Sequence, residues 1–186
     1  GVAQQVSHLV YVSVGVGIGC GLIINRQLFP GFLQYAGEFG HMTVEPLGED
    51  CRCGNQGCWE VYASNSAALR MYAAKTNQHL TTFQEFLRRS TNGEQPALEV
   101  LQTVLRYLGL GIANLINGLN PEMVVVGGEL TAVREFVYHS LLKEIKARTL
   151  EKSFAGVRLE FSQLGDQAVA LGMGSIVLDQ MLNTVN

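Results

Sequence analysis

An α/β fold, with an antiparallel meander leading into parallel crossover units, is predicted by three observations on the sequence. Two β-rich segments, Leu9–Val14 and Leu22–Asn25, flank a glycine-rich stretch near the start. A long segment from about Glu94 to Gly118 carries apolar residues at three- and four-residue intervals, the signature of an amphipathic helix. A short, wholly apolar run, Met123–Val126, then precedes Gly127–Gly128, as in a buried parallel strand.

The elements follow in order. Leu9–Val14 reads as a strand, Gly15–Gly21 as a turn, Leu22–Asn25 as a second strand and Gln27–Phe29 as a short third. Pro30–Gly40 reads as loop and Met42–Glu45 as a short strand, and a helix is expected to begin near Trp59. Ser64 or Asn65 can cap a helix through about Lys75, and Thr82 with Glu85 has capping-box spacing for another through Arg89. Residues 76–96 are the most polar stretch, and about 64–92 is expected as an exposed helical excursion. The long helix carries Ala97, Val100, Leu101, Val104, Leu108, Ile112 and Leu115 on its core face. It ends at Asn120-Pro121, because proline disfavours helical geometry in the residue before it. Thr131 can cap a helix through about Leu150. A strand near Val157–Phe161 and a last helix from about Asp166 to Leu182 complete the chain. This order matches the ribonuclease-H-like half of an actin-type ATPase or sugar kinase domain.

Composition narrows the function. The 186 residues, 47% apolar, suit a single globular domain over 1–186, and the first residue is not Met, so a piece of a longer protein is expected. A net charge of −3 and dispersed Lys and Arg residues give no nucleic-acid face. Residues 1–25 carry no charged side chain, yet Gly15, Gly17, Gly19 and Gly21 break any apolar helix and there is no basic leader, so a membrane or signal segment is rejected. Four cysteines without a secretory segment point to a reducing, cytoplasmic setting, where clustered thiols bind metal more often than they pair.

His41, Cys51, Cys53 and Cys58 supply one imidazole and three thiols, a complete tetrahedral set that leaves no position for a reactive water. Structural Zn2+ held by the 41–58 loop is therefore expected. A disulfide arrangement is the alternative, although Cys51 and Cys53 are too close to bond each other comfortably. Cys20 reads as a small buried apolar residue. Glu38 and Glu60 bracket the ligands; exposed glutamates are commonly mere solubilising groups, but a carboxylate fixed by such a loop can accept hydrogen bonds from a polyol. His41 can bind metal through one ring nitrogen and donate a proton from the other. Gly15, Gly17 and Gly19 could bring backbone N–H groups to an anion, or simply form an unusual hairpin. Gly127 and Gly128 follow a strand and precede a helix, where α/β folds place ligands, or where a plain turn would also sit.

The run from Gly15 to Glu60 resembles the ROK family of bacterial sugar kinases and sugar-responsive transcriptional repressors. The similarity lies in the glycine-rich signature, in Glu38-Phe39-Gly40-His41, and in Cys51-Arg52-Cys53-Gly54-Asn55-Gln56-Gly57-Cys58-Trp59-Glu60, which matches the family's zinc motif at every defined position. It continues more weakly through Asn120-Pro121-Glu122, Gly127–Gly128 and Gly165-Asp166, so it spans the chain as the C-terminal half or more of a family member. The resemblance implies that Glu38, His41 and Glu60 contact sugar hydroxyls and that His41, Cys51, Cys53 and Cys58 hold zinc.

Departures from the family decide between its branches. A sugar kinase of this family carries a catalytic Asp upstream of the glycine-rich signature, and here no Asp precedes Asp50. An N-terminal Asp-Gly-Thr phosphate loop is also missing, and Val16 stands where kinases carry a hydroxyl residue. The first reading is thus the sugar-sensing, oligomerising domain of a ROK regulator, with no catalytic residue of its own. It would bind a sugar or sugar derivative and a second copy of itself, and reach DNA only through a helix-turn-helix outside this chain. The alternative is the C-terminal part of an ATP-dependent hexose kinase whose catalytic Asp lies outside the chain. A zinc-ordered oligomerisation module without a ligand is a third reading.

Overall fold

The computed structural model describes residues 2–3, 5–165, 168, 171–172 and 174. A five-stranded mixed sheet forms its centre, in the order β3-β2-β1-β4-β5. These strands are β1 (Leu9–Val14), β2 (Ile18–Ile24), β3 (Gln27–Leu28), β4 (Met123–Gly128) and β5 (Arg158–Phe161). β1 pairs antiparallel with β2 and parallel with β4, matching Val14 to Ile18 on one side and to Gly128 on the other. The meander and the crossover therefore share β1.

Burial follows from that position. Val10, Val12 and Val14 alternate on the face of β1 that joins the main core. Leu9 and Tyr11 point to the other face and pack with Val6, Met123 and Val125. β4 is flanked by strands on both sides, and Met123 to Val126 are all buried, which is why its sequence is apolar without alternation.

The helices are α1 (Glu60–Ala63), α2 (Asn65–Thr76), α3 (Phe83–Thr91), α4 (Gln95–Leu119), α5 (Arg134–Lys146) and α6 (Glu151–Phe154). α4 has the expected core face, with Leu108 and Ile112 fully buried, and ends on Asn120 in the left-handed conformation. Ser64 caps α2 by accepting the Ala67 N–H, and Thr82 caps α3 by accepting that of Glu85. The Glu85 carboxylate does not complete the capping box. Arg88 and Arg89 bind it, and their hydrogen bonds hold its carboxyl well below the usual range, at about 2.

Several expectations need correction. Ile18–Gly21 belongs to β2, so the glycine turn is only Gly15 to Gly17. Residues 42–45 form no strand; Thr43 makes a single bridge to Cys58. The helix expected at Thr131 begins at Arg134 after a 3-10 turn, Glu129–Val133, because the Thr131 hydroxyl donates back to the Gly128 carbonyl instead of capping. Of the helix expected over about 166–182, only residues 168, 171–172 and 174 are among the described residues, and these are helical; the rest lies outside them. The polar 64–92 segment is helical, but it is no excursion: Ala68, Tyr72 and Phe86 are fully buried in the main core, and the charges cover only its outer face. Among the described residues no helix is long and apolar enough to cross a membrane.

Trp59 ties the loop ahead of α1 to α4. Its ring is fully buried against Gly111, where an added Cβ would collide with it, and its Nε1–H donates to the Tyr107 carbonyl at 2.8 Å. Tyr62, one turn later, stacks on Tyr107 with ring centroids 4.6 Å apart. A rigid indole cannot move aside as a flexible chain end can. Gly111→Ala is accordingly expected to destabilise the fold by about 1–3 kcal/mol in urea unfolding, with partial recovery when Trp59→Phe is added.

Candidate functional site

Glu38–His41 forms one 3-10 turn laid across the backbone of β2. Two glycines allow this close approach. Gly37 has φ +104° and its carbonyl accepts the Cys20 N–H at 3.1 Å. Gly40 lies so near the Ile18 carbonyl that any Cβ would collide with it. The turn leaves Glu38 and His41 facing outward, their side chains 66% and 38% exposed, with His41 Nε2 3.7 Å from Glu38 Oε2.

The other ring nitrogen, Nδ1, faces the cysteines. Backbone hydrogen bonds fold the loop back on itself, Val44 N–H to Gly57 O, Cys51 N–H to Asn55 O and Trp59 N–H to Met42 O, each within 2.9 Å. The ligand atoms of His41, Cys51, Cys53 and Cys58 all fall within 4.8 Å of one another. Cys53 and Cys58 sulfurs are 3.6 Å apart, and Cys51 Sγ is 3.7 Å from His41 Nδ1. A tetrahedral metal with bonds of about 2.3 Å to sulfur would require edges of about 3.8 Å, so the four groups fit such an ion. All four cysteines of the chain are free thiols, not disulfides.

The donor chemistry points the same way. Burial, and then the neighbouring Cys51 and Cys53 thiols, push Cys58 up to about 12. Burial also raises Cys51, whereas hydrogen bonding by the Asn55 backbone lowers Cys53. Three thiols packed this closely repel one another as thiolates, and a cation among them removes that penalty. Asn55 reinforces the arrangement from outside, its amide donating to Thr43 Oγ1 at 2.9 Å and to Cys58 Sγ at 3.5 Å. Cys20 lies apart and is half-buried against the core instead of fully inside it, its thiol pushed up to about 12 by burial and then by the Glu38 charge.

Glu60 joins the cysteine loop to the glycine turn. Its Oε1 lies 3.4 Å from Cys51 Sγ and 3.6 Å from His41 Nδ1, while Oε2 accepts the Ile18 N–H at 3.4 Å. Its carboxylate lies directly over Gly17, in the space a Cβ would need. Glu38, His41 and Glu60 thus come together as one wall.

The glycines divide. Gly15 and Gly17 make the turn at the carboxyl end of β1, with Val16 between them, 82% exposed. Gly19 is not part of it, being paired with Ser13 inside β2. Gly127 and Gly128 serve packing. A Cβ at Gly127 would strike the Tyr11 hydroxyl, and one at Gly128, which has φ +96°, would strike the Val14 carbonyl.

Two residues at this edge escaped the sequence reading. Asn65, only 5% exposed, donates its N–H to Gly15 O and its side-chain amide to Glu129 Oε1, both at 2.8 Å. An Asn in the first turn of a helix and a post-strand Glu separated by 64 positions give no local signal of this contact. The pair closes the carboxyl ends of β1 and β4 with an acidic group.

The chain belongs to the ROK family, whose sequence profile matches residues 1–180. The xylose repressor of Bacillus subtilis (strain 168) is 36% identical over 185 residues, covering 100% of this chain and 48% of that protein. The chain thus spans about half the length of the curated relatives it matches. Among solved structures, a ROK family transcriptional regulator, described as a homolog of the Escherichia coli MLC protein, superposes with a TM-score of 0.78 at 28% identity, over 86% of this chain and 42% of that one. A ROK family glucokinase from Streptomyces griseus, in complex with glucose and AMPPNP, gives 0.81 at 27% identity, over 89% and 59%. The mixed sheet is therefore that of the actin-like ATPase fold used by ROK kinases and regulators alike.

Two glycines of the site should respond differently to substitution. Gly40→Ala forces a Cβ against the backbone of β2, which cannot yield cheaply, and should cost about 1–3 kcal/mol of unfolding free energy. Gly17→Ala meets only the mobile end of Glu60 and should cost about 0.5–1.5 kcal/mol, the net worth of the displaced hydrogen bond. Denaturant unfolding of the two variants side by side checks the order.

Proposed function

We propose that this chain is the sugar-sensing part of a ROK-family transcriptional regulator, resident in the bacterial cytoplasm and acting as a homo-oligomer. DNA would be bound through a region outside this chain. The observation that carries the reading is the meeting of Glu38, His41 and Glu60 on one wall, beside a glycine turn whose central residue, Val16, has no hydroxyl to offer a phosphate. Carboxylates and an imidazole at this spacing accept and donate hydrogen bonds to vicinal hydroxyls. Similarity to a xylose repressor supports the regulator branch.

Zinc would be held by His41 Nδ1 and the three cysteine sulfurs. A closed four-ligand set makes it a structural brace for the wall, with no site for bound water. Glu60 and Asn55 then act from the second layer of contacts, fixing the ligands as such groups do in metal sites generally.

The alternative, the C-terminal part of an ATP-dependent hexose kinase, is favoured by the fold's similarity to a glucokinase solved with glucose and AMPPNP. Its catalytic Asp would lie outside the chain. Transfer of phosphate from ATP to a hexose at enzymatic rates by the purified protein would overturn the regulator reading.

Metal analysis should find about one equivalent of zinc per chain. Cys53→Ser should reduce it below half an equivalent and lower the melting temperature; full zinc with unchanged stability would refute the brace. Glu38→Ala should weaken sugar binding by about 1.5–3 kcal/mol, as a lost charge-assisted hydrogen bond does, and leave zinc content unchanged. Loss of zinc and sugar together would make Glu38 a support for the loop only. Titration calorimetry with d-xylose and d-glucose, alongside the metal assay, separates the outcomes.

A further inference from the structure

A cleft of about 420 Å³ is lined by Glu60, the Val16–Gly17 turn, residues 49–52 and the start of α2 with Arg70. We infer that the sensed ligand is an oligosaccharide, with its first ring on the Glu38–His41–Glu60 wall and its second in this cleft. The inference rests on the sugar-sensing reading above and deepens it. Glu60 belongs both to the wall and to the lining of the cleft, so a ligand that reaches from one to the other would meet it. The volume falls within the range of about 300–1,000 Å³ usual for small-molecule sites.

The cleft is built of polar groups held in place. Arg70 Nη2 donates to Val61 O at 2.7 Å and pairs with Glu49 Oε2 at 2.8 Å. The Glu49 N–H donates to Tyr62 Oη at 2.6 Å, and Asp50 Oδ1 accepts from the Gln56 amide at 2.9 Å. Such fixed donors and acceptors bind a ligand without first having to be ordered.

Charge selects the class of ligand. Glu49, Asp50 and Glu60 face Arg52 and Arg70, so carboxylates outnumber guanidinium groups, and Arg70 is already paired with Glu49. A phosphate would meet Arg52 beside two carboxylates, which like-charge repulsion disfavours. A neutral polyol can bond both signs through its hydroxyls. Val16 stands exposed at the lip, where its methyl groups can cover the C–H face of a ring. The residue whose missing hydroxyl speaks against phosphate thus has a use.

Titration calorimetry on the purified protein tests this with d-xylose, xylobiose, d-glucose, cellobiose and glucose 6-phosphate. At least one disaccharide should bind about 10-fold or more tightly than its own monosaccharide. The double variant Val16→Ser, Arg52→Ala should bring that ratio to about 1 while leaving the monosaccharide Kd unchanged. Equal or tighter monosaccharide binding, preference for glucose 6-phosphate, or equal loss of both sugars in the variant would overturn the inference and leave the sugar-sensing reading in place. If no sugar binds, that reading falls as well.

Discussion

Trp59 pressed onto Gly111 is the contact on which the site depends. The flanking residues are Cys58, a thiol of the His/Cys cluster that could hold a metal, and Glu60, a wall carboxylate, so the position of the indole sets both. The ring is completely buried, hydrogen-bonded to α4 through Nε1, and fits because that helix lacks a side chain at position 111. α4 is the longest element and spans the main core with the sheet, so the loop inherits the rigidity of the best-packed part of the molecule. A loop of this composition would otherwise be mobile, having few apolar side chains of its own.

From that anchor the site is built by close backbone contacts. Gly37 and Gly40 bring the Glu38–His41 turn onto β2 from one side, and Glu60 covers Gly17 from the other. The Gly15–Gly17 turn is therefore gripped at both ends, by Asn65 on the Gly15 carbonyl and by Glu60 on the Ile18 N–H. Asn65 extends the grip to Glu129 and so links the ends of the two central parallel strands. An acidic side chain, Glu129, thus lies at the carboxyl edge of the sheet, and Val16 stands exposed in the neighbouring glycine turn.

Much of this could be read from the chain. The core face of α4, the strands β1 and β4, the caps Ser64 and Thr82 and the stop at Asn120-Pro121 depend on contacts within a few residues, so local periodicity and capping chemistry reveal them. Overall polarity does not reveal the burial of residues 64–92, because α2 and α3 bury one face through a minority of residues, Ala68, Tyr72 and Phe86 among them. The glycine stretch failed at its second half because Gly19 and Gly21 are tolerated in an edge-side strand where nothing crowds them, while glycine in a sequence suggests a turn.

The sequence by itself determined the donor set. One imidazole and three thiols within a short loop define a metal-sized cluster whatever surrounds them, because ligand type and spacing carry that chemistry. It also determined which carboxylates lie near that loop. Tertiary structure alone decided which oxygen of Glu60 faces the thiols and which holds Ile18, that His41 presents Nδ1 inward, that Asn65 meets Glu129, and that a mixed-charge cleft opens beside Glu60. These depend on where the sheet and α4 place segments tens of residues apart, and no short-range pattern encodes a contact whose partners meet only through the packed core.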